Sequence, residues 1–187
     1  MEITQTFYAA DRDAWRAWLA EHHRTAKEIW LVYPRKHSGK PRIPYNDAVE
    51  EALCFGWIDS TQKRLDDDHT AQRYSPRRPG IAYSQTNQER LRKLVAQGKV
   101  LDEVRESIGG LLEQSFRVPP DIQQALQANE PAWSNLRRWP EAYLRIRVAY
   151  VDDARDDPAE FQKRLQNLVD KSRQGKQFGF GIESFYA

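Results

Sequence analysis

The chain is poor in the residues that staple folds covalently or through metals. Its 187 residues include one cysteine, Cys54, and four histidines. An internal disulfide and a cysteine-built zinc site are therefore excluded. His22 and His23 are adjacent, and neighbours on a helix point about 100° apart. His37 and His69 fall in separate turn segments, so no metal is expected. The run Asp66-Asp67-Asp68 lacks the glycine and distal glutamate of a calcium loop, and it reads as the polar tip of a hairpin. No apolar run approaches the ~18 residues that span a bilayer. The start, Met1 to Phe7, has neither the basic residues nor the apolar stretch of a secretory signal. The expectation is a cytoplasmic protein with no membrane partner. A Gly-x-Ser-x-Gly elbow, a phosphate-cradling glycine loop and a dinucleotide fingerprint are all missing, and Gly175, Gly179 and Gly181 have the wrong spacing for either nucleotide motif. No cofactor is expected. A net charge of only +2 gives no reason for bulk attraction to DNA or lipid.

Aromatic residues are plentiful: six Trp, eight Tyr and seven Phe, or 11%, too many for a disordered chain. Asp11 can cap a helix in which Trp15, Trp18, Leu19 and His22 recur at helical spacing. The run Glu28 to Tyr33 reads as a strand covered on both faces. Pro44 opens a helix with Tyr45, Ala48, Val49, Ala52 and Leu53 on its apolar face, and Gly56 ends it. Trp57 to Leu65 and Thr70 to Ser75 read as a β-hairpin. Ser84 or Thr86 caps a helix carrying Leu91, Leu94 and Val95, with Gly98 at its end. The stretch from Gly109-Gly110 to Pro119-Pro120 reads as a boundary, giving an α+β lobe over 1–110 and a helical region over 119–187. In that region Ile122, Ala125 and Leu126 make one helix. Leu144, Val148 and Val151, flanked by Tyr143, Arg147 and Tyr150, make another. Asp157-Pro158-Ala159-Glu160 opens a third, and a loose aromatic tail follows. The fold class is α+β: a small antiparallel sheet packed by helices, with a C-terminal helical region that docks on the lobe or on a second subunit of a homo-oligomer.

Charge is balanced overall but lopsided locally. From Arg73 to Lys99 seven basic residues stand against one acid, Glu89, a window of +6 that leaves −4 for the rest. Cys54 follows Glu50 and Glu51 by one turn in an apolar setting, which favours the thiol over a reactive thiolate. With a hairpin turn near Asp67 and Asp68, strand alternation puts Asp59 and Lys63 on one face with Tyr74 and Gln72. Gln62, Arg64 and Arg73 take the other. Arg77, Arg78, Ser84 and Asn87 follow in the loop and the start of the next helix, where arginine forks and a helix N-terminus suit an anion. The candidate ligand-binding set is Lys63, Arg64, Arg73, Tyr74, Arg77, Arg78, Tyr83, Ser84 and Asn87. The rival arrangement is structural, with these arginines answering the chain's own carboxylates, Asp59 among them. Three functions are compatible: a non-catalytic binder of an anionic small molecule or acidic protein, an enzyme with Asp59 as acid or base and Arg77 orienting a substrate anion, and a single-stranded nucleic-acid module. The first is preferred over catalysis and over nucleic acid.

The segments Glu28-Ile29-Trp30-Leu31, Ala48 to Asp59 and Arg73-Tyr74-Ser75-Pro76-Arg77-Arg78 resemble the YdeI/OmpD-associated family, also labelled bacteriocin-protection. Pro119-Pro120-Asp121-Ile122 to Leu126 resembles the start of its C-terminal helices. The chain departs from the family where Ile81-Ala82-Tyr83-Ser84 replaces Ser-x-Trp-Ser, and where Ala159 to Arg164 replaces a Thr-Arg pair. The resemblance implies a role in bacterial stress or antimicrobial protection, no known reaction, and kinship with small α+β proteins of the YjbR/CyaY type.

Overall fold

A computed structural model of the chain describes residues 2–186. By internal contacts it divides into two compact units, Met1–Ala82 with Arg90–Leu112, and Tyr83–Glu89 with Glu113–Ala187.

The first unit carries a four-stranded sheet. Its strands are β1 (Thr6–Tyr8), β2 (Ile29–Pro34), β3 (Trp57–Arg64) and β4 (His69–Pro76), in the order β1-β2-β4-β3. The hairpin and its antiparallel pairing with β2 follow the sequence reading. The sheet as a whole is mixed, because β1 adds to β2 in parallel, Phe7 opposite Leu31. Three residues of alternating burial leave too short a pattern to read as a strand. Between β1 and β2 runs α1 (Arg12–His22), capped as expected by the Asp11 side chain, which accepts from the Ala14 N–H. Helix α2 (Tyr45–Cys54) packs against α1 and β3. It ends at Gly56, whose φ of +72° is readily open only to glycine. Trp15 donates from Nε1 to the Ala48 carbonyl at 3.0 Å. Its ring meets those of Phe7, Trp18 and Tyr74, so the indoles are core rather than surface. Cys54 is fully buried, and desolvation followed by the Glu51 charge pushes its thiol up to about 11, as expected of an inert thiol.

Helix α3 (Gln85–Ala96) begins in the second unit and continues in the first, followed there by α4 (Asp102–Ser107) and α5 (Gly109–Leu112). The Gly109-Gly110 pair is thus helical. The Ile108 carbonyl accepts from the N–H groups of Leu111 and Leu112.

The rest of the second unit is a helical bundle: α6 (Pro120–Gln127), α7 (Glu130–Arg138), α8 (Glu141–Asp152) and α9 (Pro158–Arg173). The Asp157 carboxylate accepts from the Ala159 and Glu160 N–H groups at 3.1 Å each, the cap read from Asp157-Pro158. Helix α7 was not among the helices singled out from the sequence, although Pro131 in its first turn marks a helix start. Ile122, Leu126, Leu136, Tyr143, Val148 and Leu168 form its core. The tail is not loose. Ile182 and Phe185 are buried in that core, and Tyr143 accepts from the Phe178 N–H at 2.9 Å and donates to the Phe178 carbonyl.

Candidate functional site

Strand pairing decides what the hairpin presents. Asp59 stands opposite Tyr74, but Gln62 is the next residue to pair, with Gln72. Ser60 and Thr61 together face Arg73, a β-bulge that adds one residue to β3. Beyond it the alternation is reversed. Gln62 and Arg64 now share the face of Asp59, and Lys63, opposite Ala71, moves to the other. The uniform alternation read from the sequence had these the other way round.

Most cations of the candidate set have partners within the protein. Arg73 donates from Nε to Glu28 Oε2 at 2.7 Å, with Nη2 2.6 Å from the same oxygen. Glu28 also accepts from the Thr4 hydroxyl at 2.6 Å; that hydrogen bond, then Arg73, holds its carboxyl below the ordinary 4.5. Arg64 binds Asp67 and the Asp66 carbonyl at the hairpin tip. Arg77 donates to the Ile81 carbonyl, while Arg78 is exposed. Tyr74 is buried, its hydroxyl 3.2 Å from that of Tyr33. Asp59 Oδ2 accepts from the Tyr45 hydroxyl at 2.6 Å and from Gln72 Nε2 at 3.3 Å. Tyr83, Ser84 and Asn87 belong to the other unit. There the Ser84 hydroxyl accepts from the Asn87 N–H at 3.4 Å, and the Tyr83 carbonyl accepts from the Gln88 side chain.

The second unit holds a cavity of about 490 Å³, lined in part by Ser84, Thr86, Arg147, Tyr150, Asp153 and Phe178. Ser84 and Thr86 bring the first turn of α3, where backbone N–H groups lack intrahelical partners. Arg147 comes from α8. Only 5% of it is exposed, and its Nε is buried without a hydrogen-bond partner. Among the described residues no carboxylate pairs with it. What it does touch is aromatic. Its guanidinium carbon lies 3.9 Å from the Phe178 ring centre and 4.7 Å from that of Tyr150. Desolvation pushes its pKa down, and a guanidinium stays charged regardless. The backbone at Gly179 leaves it room: a Cβ there, at φ +126°, would come within 2.6 Å of Ile182 and 3.1 Å of Arg147 Nη1. Asp153, also in the wall, has its carboxyl pushed up by burial and by neighbouring Asp152.

A cation taken out of water without a counter-charge costs several kcal/mol. Rings return about 0.5–2 kcal/mol of that. Two residues earlier on α8, Arg145 shows the ordinary solution, with Nε and Nη2 at 2.8 and 2.9 Å from the two oxygens of buried Glu89. The same helix therefore carries one answered and one unanswered arginine. Sequence reasoning passed over Arg147, yet a signal was there: it lies four residues after Tyr143 and four before Val151, on the buried stripe of α8.

Residues 7–107 match the family described as Domain of unknown function (DUF8412), just over half of the chain. The chain belongs to that family. Residues 115–175 match the family described as Bacteriocin-protection, YdeI or OmpD-Associated, so the recognised kinship lies in the C-terminal helices. The motifs at 28–78 that suggested it fall inside the other match. No curated protein and no solved structure matches. Among the described residues no helix is long and apolar enough to cross a membrane, and no cluster of His, Cys, Asp or Glu is grouped to hold a metal ion.

Proposed function

We propose that this protein, of the bacteriocin-protection type over its C-terminal helices, acts as a non-catalytic binder of a small anion. The ligand occupies the cavity at Arg147 and contributes to antimicrobial or stress protection. One observation carries the reading: an arginine only 5% exposed, its Nε buried without a hydrogen-bond partner and no carboxylate pairing with it among the described residues, in the wall of a cavity. An anion there receives a charge-assisted fork, and the first turn of α3 adds N–H donors and dipole of matching sign. Ser84, in the candidate set from the sequence, lines this cavity. The hairpin arginines have less to offer a ligand, since Glu28 and Asp67 already hold Arg73 and Arg64.

Thermal and calorimetric titration with inorganic phosphate, acetate and benzoate tests this. A bound anion stabilises the fold by about 2.7 kcal/mol at a hundredfold excess over Kd. The effect weakens in high salt and disappears in Arg147→Met. No stabilisation by any of the three, or equal stabilisation of the variant, overturns the reading.

An acid–base role for Asp59 draws on one feature, since Oδ1 takes neither of the bonds from Tyr45 and Gln72. Asp59→Asn leaves anion binding at Arg147 unchanged if that role is separate or absent. Nucleic-acid binding finds little support in tryptophans 15, 30 and 57, which are buried.

A further inference from the structure

The cavity is roomier than a small inorganic anion needs. A water's share of liquid is about 30 Å³, so phosphate or acetate would fill only a small part of 490 Å³. Much of the remaining wall is apolar, from Tyr150, Phe178 and Phe180 with Ile146 and Ile182, and Gln85 and Asn167 add amides. Phe180 is 96% exposed. A lone exposed phenylalanine is unremarkable on most surfaces, but this ring stands at a cavity, between two glycines with φ of +126° and +76°. Those backbone angles are open mainly to glycine.

Charge narrows the choice further. Arg147 and Asp153 are the ionisable cation and acid in the wall, apart from the tyrosine. Arg164, which lies 4.1 Å over the Tyr150 ring, is already held by Glu160. One guanidinium offsets one negative charge. A phosphate monoester would bring nearly two, to a wall that also carries a carboxyl group. We propose that the ligand is an aromatic monocarboxylate, its carboxylate on Arg147 and its ring against Phe180 and Tyr150. This specificity rests on the anion-binding reading of the same cavity.

The test is calorimetric titration of the full chain, at one ionic strength, with acetate, cyclohexanecarboxylate, benzoate and phenyl phosphate. Benzoate is expected to bind about tenfold or more tighter than acetate and phenyl phosphate, and measurably tighter than cyclohexanecarboxylate, since ring stacking adds to area burial. Phe180→Ala lowers benzoate affinity by about three- to tenfold and leaves acetate unchanged. Its exposure leaves little folding to disturb, and circular dichroism checks this. Asp153→Asn raises phenyl phosphate affinity. Benzoate binding no tighter than cyclohexanecarboxylate, phenyl phosphate binding tightest, or indifference to Phe180→Ala overturns the aromatic-carboxylate assignment while the anion site stands. Binding of none of the four, or binding of all that survives Arg147→Met, removes the anion site itself.

Discussion

In the sheet-bearing unit Arg12 meets Asp47, Glu50 and Glu51, Arg16 meets Glu51, and Arg73 meets Glu28. Burial opposes the charge on Arg12 and Arg16, yet their glutamate hydrogen bonds outweigh it and hold both pKa values above the ordinary arginine value. In the helical unit Arg145 follows the same rule through Glu89, whereas Arg147 meets rings, pairs with no carboxylate among the described residues, and has a lowered pKa. Arginines two residues apart on one helix thus occupy opposite electrostatic situations. The lesson is that a basic stretch is informative only once its partners are known.

The sharpest way to break this comparison is to take the buried partner away from an answered arginine. Glu89→Ala leaves Arg145 only the exposed Glu141, 2.9 Å away, and should cost about 1.5–3 kcal/mol in urea-induced unfolding. A loss within 1 kcal/mol, on the order of an exposed pair, would mean that Glu89 and Arg145 contribute little and the contrast with Arg147 is empty. Removing the existing exception should act in the other direction. Arg147→Met discards an uncompensated charge but also its ring contacts, and is expected to stabilise the ligand-free protein by about 1–2 kcal/mol. Destabilisation would show that the guanidinium is satisfied in the free protein.

Acid titration sharpens the contrast with a smaller effect. Glu28 has a depressed pKa in the fold, so its contribution is present above the ordinary 4.5 and is lost as pH falls through the folded value. Asp153 has a raised pKa, so the folded state binds its proton first, and stability is gained as pH falls from the folded value towards the ordinary 3.8. Glu28→Gln should therefore flatten the loss on acidification, and Asp153→Asn should remove a gain. Denaturation midpoints over this range decide it, and changes in slope of the same sign, relative to wild type, for both variants would refute the assignment. Smallest of all is Phe180→Ala, expected to leave unfolding free energy within about 0.5 kcal/mol of wild type while changing only ligand affinity.

What was legible in the sequence was local. The Asp157-Pro158 cap, the Trp15–Leu19 stripe and the hairpin are written within a few residues of where they act, and they form as read. Strand β1 was not, because three residues carry no period and its partner lies beyond a helix. The Ser60-Thr61 bulge was hidden for a related reason: pairing across two strands, not spacing along one, sets the face of Lys63. The candidate site was least legible. The acid answering Arg73 is 45 residues away and the one answering Arg145 is 56 away.

By itself the sequence determined the α+β class, the packed Cys54 and the starts of α1, α2 and α9, because backbone capping and apolar periodicity act over a few residues. Which arginines are neutralised and which one is left facing a cavity was decided only by tertiary structure. Coulomb attraction and desolvation depend on distance through space and on burial, and the chain acquires both only when remote segments pack together.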